Sequence, residues 1–85
     1  MKTYNTAPRF EEAARLVLRL GRATLNELQR NLGVGYLFAT QLMSELEAAG
    51  IIGSDTGKWQ RDLLIHSTEE LEVILRHYQK ESLPS

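Results

Sequence analysis

The stretch TLNELQRNLGVGYLFATQLMSELEAAGII, residues 24–52, decides the fold of this chain. It opens with the pattern of a capping box, in which Thr24 and Glu27 satisfy amides that a helix start leaves without partners. Leucines then recur at helical spacing as far as Leu32. The first part of the stretch therefore predicts a short amphipathic helix over residues 24–32.

The second part of the stretch predicts a longer helix after a tight turn. The turn is Gly33-Val34-Gly35, and the helical pattern then covers residues 36–49. Gly50 follows at the position where a left-handed residue commonly ends a helix. One line of the helix surface is apolar and is predicted to be buried: Ala39, Leu42, Met43 and Leu46.

Further elements flank this helix pair on both sides. Pro8 and the apolar spacing after it predict a first helix over residues 8–20. Two β-rich segments separated by a turn-rich tip predict a hairpin over residues 51–66. Ser67 begins a second capping box, which predicts a last helix over residues 68–80. Its apolar stripe consists of Leu71, Ile74, Leu75 and Tyr78.

The order of these elements is that of a winged helix-turn-helix, in which the third helix is offered to a DNA groove. The predicted fold class is mostly α with a small β-hairpin, three helices plus a two-stranded wing and an added C-terminal helix. We divide the chain into a tail at 1–7, a winged-helix domain at 8–66, a C-terminal helix at 67–81 and a tail at 82–85.

Composition excludes several classes of protein. The chain has 85 residues, a net charge of −1 and no cysteine, so it holds one domain without disulfides. It has no apolar run of the roughly 18 residues that a membrane span needs and no cluster of metal ligands. His66 and His77 stand alone, without a nucleophile to activate. We therefore expect a cytoplasmic, non-catalytic protein with no cofactor, no metal and no membrane segment.

Several segments carry a family resemblance. They are Ala23-Thr24-Leu25, Leu28-Gln29-Arg30-Asn31-Leu32, Val34-Gly35-Tyr36, LMSELEAAGIIG at residues 42–53 and RDLLI at residues 61–65. Over about residues 10–65 the chain resembles the C-terminal gamma domain of FtsK-type DNA translocases. This resemblance implies a winged helix that binds DNA and recognises the sequences orienting chromosome transport.

Two departures from the family fall where function is expected. After the Gly-Tyr pair the family usually has a polar residue and an arginine, where this chain has Leu37 and Phe38. This difference weakens an assignment of the same DNA sequence. The last helix, residues 68–80, lies outside the family pattern. We therefore expect a free-standing protein that carries the module.

Candidate DNA-binding residues lie on the helix predicted over 36–49 and on the elements beside it. Thr40, Gln41 and Ser44 form its polar side, and a glutamine can bond the adenine edge, although an ordinary solvated face has the same composition. Cationic side chains are candidates for phosphate contacts. The full DNA-binding set is Arg22, Arg30, Tyr36, Leu37, Thr40, Gln41, Ser44, Lys58 and Arg61.

Three large apolar residues have alternative interpretations. Leu37 and Phe38 either contact thymine methyl groups or form a protein-binding patch, and Phe38 is also suited to packing against the second helix. Trp59 in the hairpin either lies beside the DNA backbone or covers the edge of the core, and the sequence favours the second alternative.

Three functions follow from these residues. The first is a DNA-binding transcriptional or mobile-element regulator that reads the major groove of double-stranded DNA and forms a homodimer through Leu71, Ile74, Leu75 and Tyr78. The second is a protein-binding winged helix, an adaptor or inhibitor, whose Leu37 and Phe38 enter a partner's apolar pocket. The third is a fragment of a longer translocase.

Overall fold

The computed structural model describes the backbone of residues 7–82 and the side chains of residues 9–77. The elements follow the predicted order, and each helix agrees with its prediction to within two residues. They are α1 (Ala7–Leu20), β1 (Arg22–Ala23), α2 (Leu25–Leu32), α3 (Tyr36–Ala48), β2 (Arg61–Asp62) and α4 (Thr68–Ser82). The predicted fold class, mostly helical with a small antiparallel sheet, is confirmed. The predicted tails lie outside the described residues, except that Ala7 and Ser82 belong to helices.

The core forms where α1, α2 and α3 meet. Phe10 of α1, Leu28 of α2 and both Leu42 and Leu46 of α3 are fully buried. The predicted buried line of α3 is confirmed, since Ala39 and Met43 are buried with these leucines. Because burial of each large apolar side chain contributes roughly 1.5–3 kcal/mol, this cluster fixes how α3 is oriented.

The two helices that were predicted from capping boxes, α2 and α4, both begin with a side-chain cap. Thr24 Oγ1 accepts from the Glu27 amide at 3.0 Å, and Ser67 Oγ accepts from the Glu70 amide at 3.1 Å. The Glu70 carboxylate in turn accepts from the His66 amide at 2.6 Å. These bonds satisfy amides that have no partner inside a helix, so α2 and α4 begin where the sequence predicts.

Two glycines with left-handed backbone conformation flank α3, one in the turn before it and one just after its end. Gly33 ends α2 with φ 65°, which allows the short connection to Tyr36. At the other end Gly50 has φ 82°, and the amide of Ile51 donates to the Leu46 carbonyl at 3.0 Å. Side chains with a Cβ rarely adopt this conformation, which explains glycine at both positions.

The wing differs in part from the predicted hairpin. Ile52 and Leu63 form an antiparallel bridge, and the Gly53 amide donates to the Asp62 carbonyl at 2.9 Å, so the base of the hairpin is present. Residues 54–60, here called the wing tip, have no strand pairing. The paired strands are instead β1 and β2, in the register Arg22↔Asp62 and Ala23↔Arg61. The sequence analysis missed β1.

Helix α4 packs on α1, which overturns one prediction. Leu71 and Leu75 are only 0% and 4% exposed, Ile74 packs against the same core, and Arg15 of α1 pairs with Glu72 at 2.8 Å. The prediction that this stripe forms a dimer interface is therefore wrong for Leu71 and Leu75, since the chain's own core covers them. The side chain of Tyr78 lies outside the described residues.

Candidate nucleic-acid interface

The side of α3 that faces away from the core is exposed or partly buried from Tyr36 to Ser44. Tyr36 and Leu37 are 59% and 61% exposed, and Ser44 is also exposed, while Thr40 and Gln41 are partly buried. These five residues, here called the exposed α3 face, lie on one side of the helix because Leu37, Thr40, Gln41 and Ser44 follow the spacing i, i+3, i+4, i+7. The structure therefore brings together all five α3 residues that the sequence selected.

Two polar groups of the exposed α3 face are already hydrogen-bonded within the helix. The Thr40 hydroxyl donates to the Leu37 carbonyl at 2.8 Å, and the Gln41 amide donates to the Glu45 carboxylate at 3.3 Å. The hydroxyl proton of Thr40 is thus directed back to the backbone.

The charge on α3 is unusual for a helix that binds a polyanion. Its 13 residues contain Glu45 and Glu47 but no lysine or arginine. These acids lie near the negative, C-terminal end of the helix dipole, whereas the positive end lies at the first turn. Gly35 caps the helix without a side-chain hydrogen bond and the first turn has no acidic residue, so the dipole is uncompensated there.

Two candidate cations are engaged within the chain. The Arg22 guanidinium donates to both Glu27 oxygens, at 3.1 and 2.6 Å. This bidentate pair lowers the pKa of the Glu27 carboxyl below its ordinary value of 4.5 and raises the pKa of Arg22. Arg61 pairs with Glu47 of α3 and donates through Nε to the Gly53 carbonyl at 2.8 Å, with its side chain only 12% exposed.

The other two candidate cations point to solvent. Arg30 at the end of α2 and Lys58 in the wing tip are exposed, and neither forms an ion pair with another described residue. Their charge is therefore available to an anionic ligand. Arg61 instead joins the wing base to α3 through its ion pair with Glu47. The sequence analysis did not predict this pair, because Glu47 lies far from Arg61 along the chain.

The large apolar residues divide between core and surface. Phe38 is partly buried and packs against the core, as one of its predicted alternatives states. Trp59 is 75% exposed, so the interpretation that it covers the core edge is wrong. Its place beside Lys58 in a glycine-containing tip is the signal that would have put it on the surface.

The described residues offer little for catalysis or metal binding. Among them no group of three His, Cys, Asp or Glu side chains could hold a metal ion. His66 and His77 are both exposed. No helix within residues 7–82 is long and apolar enough to cross a membrane. The prediction that the chain is not an enzyme stays a prediction.

Fold and site together define a winged helix-turn-helix module with an accessible third helix and a projecting wing. The family described as "Ftsk gamma domain" matches residues 5–66, and the chain belongs to this family. The match ends just before α4, in agreement with the prediction that the last helix lies outside the family pattern.

Several DNA translocases are similar to this chain. DNA translocase FtsK of Chlorobaculum tepidum is 40% identical over 68 residues, which are 80% of this chain and 8% of that protein. DNA translocase FtsK of Streptococcus agalactiae is 49% identical over 61 residues, 72% of this chain and 8% of its own length. The chain thus spans less than a tenth of the relatives it matches.

Proposed function

We propose that this chain binds double-stranded DNA, with the exposed α3 face in the major groove and the wing tip against the flanking backbone. The observation that carries the proposal is the exposure of Tyr36 and Leu37 at the start of α3, together with that of Lys58 and Trp59 in the wing tip. In helix-turn-helix proteins it is the first residues of this helix that contact base edges. The relatives are named DNA translocases, which supports the same ligand.

The ion pair between Arg61 and Glu47 supports a two-part interface. It joins the wing base to the last turn of α3, and Arg61 also bonds the Gly53 carbonyl. A wing held in this way keeps a fixed position relative to the helix. The wing tip can then set the register on the backbone while α3 contacts the bases.

The free charges predict weak binding that depends modestly on salt. Arg30 and Lys58 are the exposed, unpaired candidates, and each phosphate contact contributes about 0.9 to the slope of log K against log salt. Two contacts give a slope of about −2, whereas strong DNA-binding domains have much steeper slopes. We expect a non-specific Kd on the order of 10⁻⁴ M at physiological salt.

The proposal is limited to DNA binding. The relatives are translocases, so the hypothesis of a transcriptional or mobile-element regulator gains nothing from them. A homodimer through α4 is not proposed, because the core covers Leu71 and Leu75. Any part in DNA translocation would belong to a longer protein of which such a module is a small portion.

A salt series tests the proposal. Binding of a labelled random-sequence duplex is measured by fluorescence anisotropy between about 50 and 200 mM salt. Trp59 is the only tryptophan of the chain, so a change in its emission reports contact at the wing tip. We expect affinity to fall with salt at a slope of about −2 and the emission to change in parallel. Absence of binding at the lowest salt would contradict the proposal.

A protein partner is the second candidate, and one observation favours it. Residues 34–38 line a shallow, largely apolar depression of about 410 Å³, beside which Tyr36 and Leu37 are exposed. Exposed apolar groups of this size are common at protein interfaces. This candidate predicts that the chain binds no duplex at any salt, whereas the DNA proposal predicts binding that salt weakens.

A further inference from the structure

The start of α3 lacks the groups that most DNA-reading helices use. Guanine is commonly read by a bidentate arginine or lysine, and α3 contains neither. Adenine is read by asparagine or glutamine, but the Gln41 amide donates to Glu45. The first turn consists of Tyr36, Leu37 and Phe38, of which Phe38 packs on the core.

Leu37 and Thr40 place apolar groups on one line of α3, beside the exposed Tyr36. Leu37 is 61% exposed, and Thr40, one turn later, directs its hydroxyl proton to the Leu37 carbonyl. The isobutyl group of Leu37 and the methyl of Thr40 are neighbours at spacing i, i+3 on the exposed α3 face. Apolar side chains and threonine methyls are the groups that contact the thymine C5 methyl in a major groove.

We infer that this chain reads thymine methyl groups, with Leu37 as the specificity-determining residue and Thr40 beside it. The inference rests on the proposed function, since it requires α3 to enter the major groove. The DNA class it names is duplex in which thymine lies opposite the first turn of α3. Tyr36 and the amides of the first turn then face the adjacent phosphates, where the uncompensated helix dipole favours an anion.

The charges of α3 are consistent with recognition of bases through apolar contacts at its first turn. The second half of α3 carries Glu45 and Glu47 and no lysine or arginine. Arg61 pairs with Glu47, but this half of the helix offers no cationic side chain of its own to phosphates or to the carbonyl edge of guanine. The first turn has no acid and carries the positive end of the dipole. The helix is therefore suited to enter the groove by its first turn, where Leu37 lies.

Removing the thymine methyl tests the inference directly. A duplex is first selected from a random pool by binding to the wild-type chain, and its thymines are then replaced one at a time by deoxyuridine, which lacks only the C5 methyl. At each contacted thymine we expect affinity to fall about fourfold, which corresponds to ~0.8 kcal/mol for one buried methyl-sized group at 1.4 kcal/mol per tenfold. A 5-methylcytosine at such a position should bind better than cytosine, because the methyl returns.

Leu37→Ala connects the effect to its residue. This variant should lose most of the difference between the thymine and deoxyuridine duplexes, because the main contacting side chain is gone and only the smaller Thr40 methyl is left. Since Leu37 is largely exposed, the variant should fold as the wild type does. Val73→Ala is the matched control, since Val73 is a 50% exposed apolar residue on α4, and it should keep the full difference between the two duplexes.

Two outcomes would overturn the inference, and they are distinguishable. If the wild-type chain binds a selected duplex but every deoxyuridine substitution is neutral, the thymine reading is wrong while DNA binding stands. If no duplex is selected or bound at any salt, the proposed function fails and the inference fails with it. A thymine preference that Leu37→Ala leaves intact would assign the reading to another residue and also reject the inference.

Discussion

Two apolar surfaces of this small domain, one on α4 and one at the start of α3, differ in how much of them is exposed to solvent. On α4 the side chains of Leu71 and Leu75 are 0% and 4% exposed, because α1 and the core cover them. At the start of α3 the side chains of Tyr36 and Leu37 remain 59% and 61% exposed. The apolar residues on the inner faces of the helices are buried in the core, whereas Tyr36 and Leu37 lie off those faces and stay exposed.

The cations divide in the same way. Arg15, Arg22 and Arg61 each pair with a glutamate of another element, which links α1 to α4, β1 to α2 and β2 to α3. Arg30 and Lys58 are exposed and form no ion pair with a described residue. A group that is satisfied inside the chain is expected to act on stability, and a group left exposed is expected to act on binding.

The largest expected effect is a loss of stability when a buried residue of α4 is shortened. Leu71→Ala should lower the free energy of unfolding by about 2–5 kcal/mol, because it removes buried methyl groups and leaves a cavity. Urea unfolding measures this loss. Val73→Ala, on the exposed side of α4, should change stability by less than about 0.5 kcal/mol. A wild-type dimer that Leu71→Ala dissociates without loss of stability would reverse our assignment of α4 to the core.

The sequence predicted the helices and the buried line of α3 because both depend on local spacing and caps. It could not predict where α4 packs, since that depends on α1. Leu16 is buried in addition to Phe10, Ala13, Ala14 and Val17, so α1 has a buried surface wider than one stripe. Helix α4 packs on α1, and the ion pair between Arg15 and Glu72 joins the two helices.

The candidate site was predictable as a set of positions but not as a set of roles. The five residues of the exposed α3 face follow from the 3.6-residue period. The roles of Arg22 and Arg61 depend on glutamates that the fold brings near, and β1 is too short to carry a periodic signal. Pairing between distant segments is decided by tertiary packing, which a local pattern does not encode.

The next effect concerns the cation that joins the wing to α3. Arg61→Ala should lower the free energy of unfolding by about 1–2 kcal/mol, because it removes the ion pair to Glu47 and the bond to the Gly53 carbonyl from a largely buried side chain. Urea unfolding measures the change, with exposed Lys58→Ala as the control. If the two variants were equally stable, the contacts of Arg61 would add nothing to stability, and Arg61 would be as available to a ligand as Lys58.

A smaller effect is expected on the salt dependence of DNA binding. Lys58→Ala should make the slope of log K against log salt shallower by about 0.9, the contribution of one phosphate contact. Arg61→Ala should leave the slope nearly unchanged, because its guanidinium is engaged by Glu47. Arg76→Ala, which removes an exposed cation from α4, serves as the matched control. A loss of slope in Arg61→Ala but not in Lys58→Ala would exchange the roles of the two cations.

The smallest expected effect concerns the pair between Arg22 and Glu27, which is satisfied within the chain yet still partly exposed. Hydrogen bonds from Arg22 lower the pKa of Glu27 below its ordinary value of 4.5, so the folded state favours the ionised carboxylate. The resulting stabilisation is complete above about pH 4.5 and is lost as the pH falls through the lowered pKa. Exposure to solvent keeps its magnitude small.

Urea unfolding of the wild type and of Glu27→Gln from pH 7 down to pH 3 measures this stabilisation as a difference between the two chains. We expect the wild type to be the more stable at neutral pH and the difference to shrink in acid, where Glu27 becomes protonated. In an Arg22→Ala background the difference should be reduced at every pH, because the main cause of the lowered pKa is gone. Parallel pH profiles for the wild type and Glu27→Gln would mean that the pair does not stabilise the fold, and Arg22 would then be as available to DNA as Arg30.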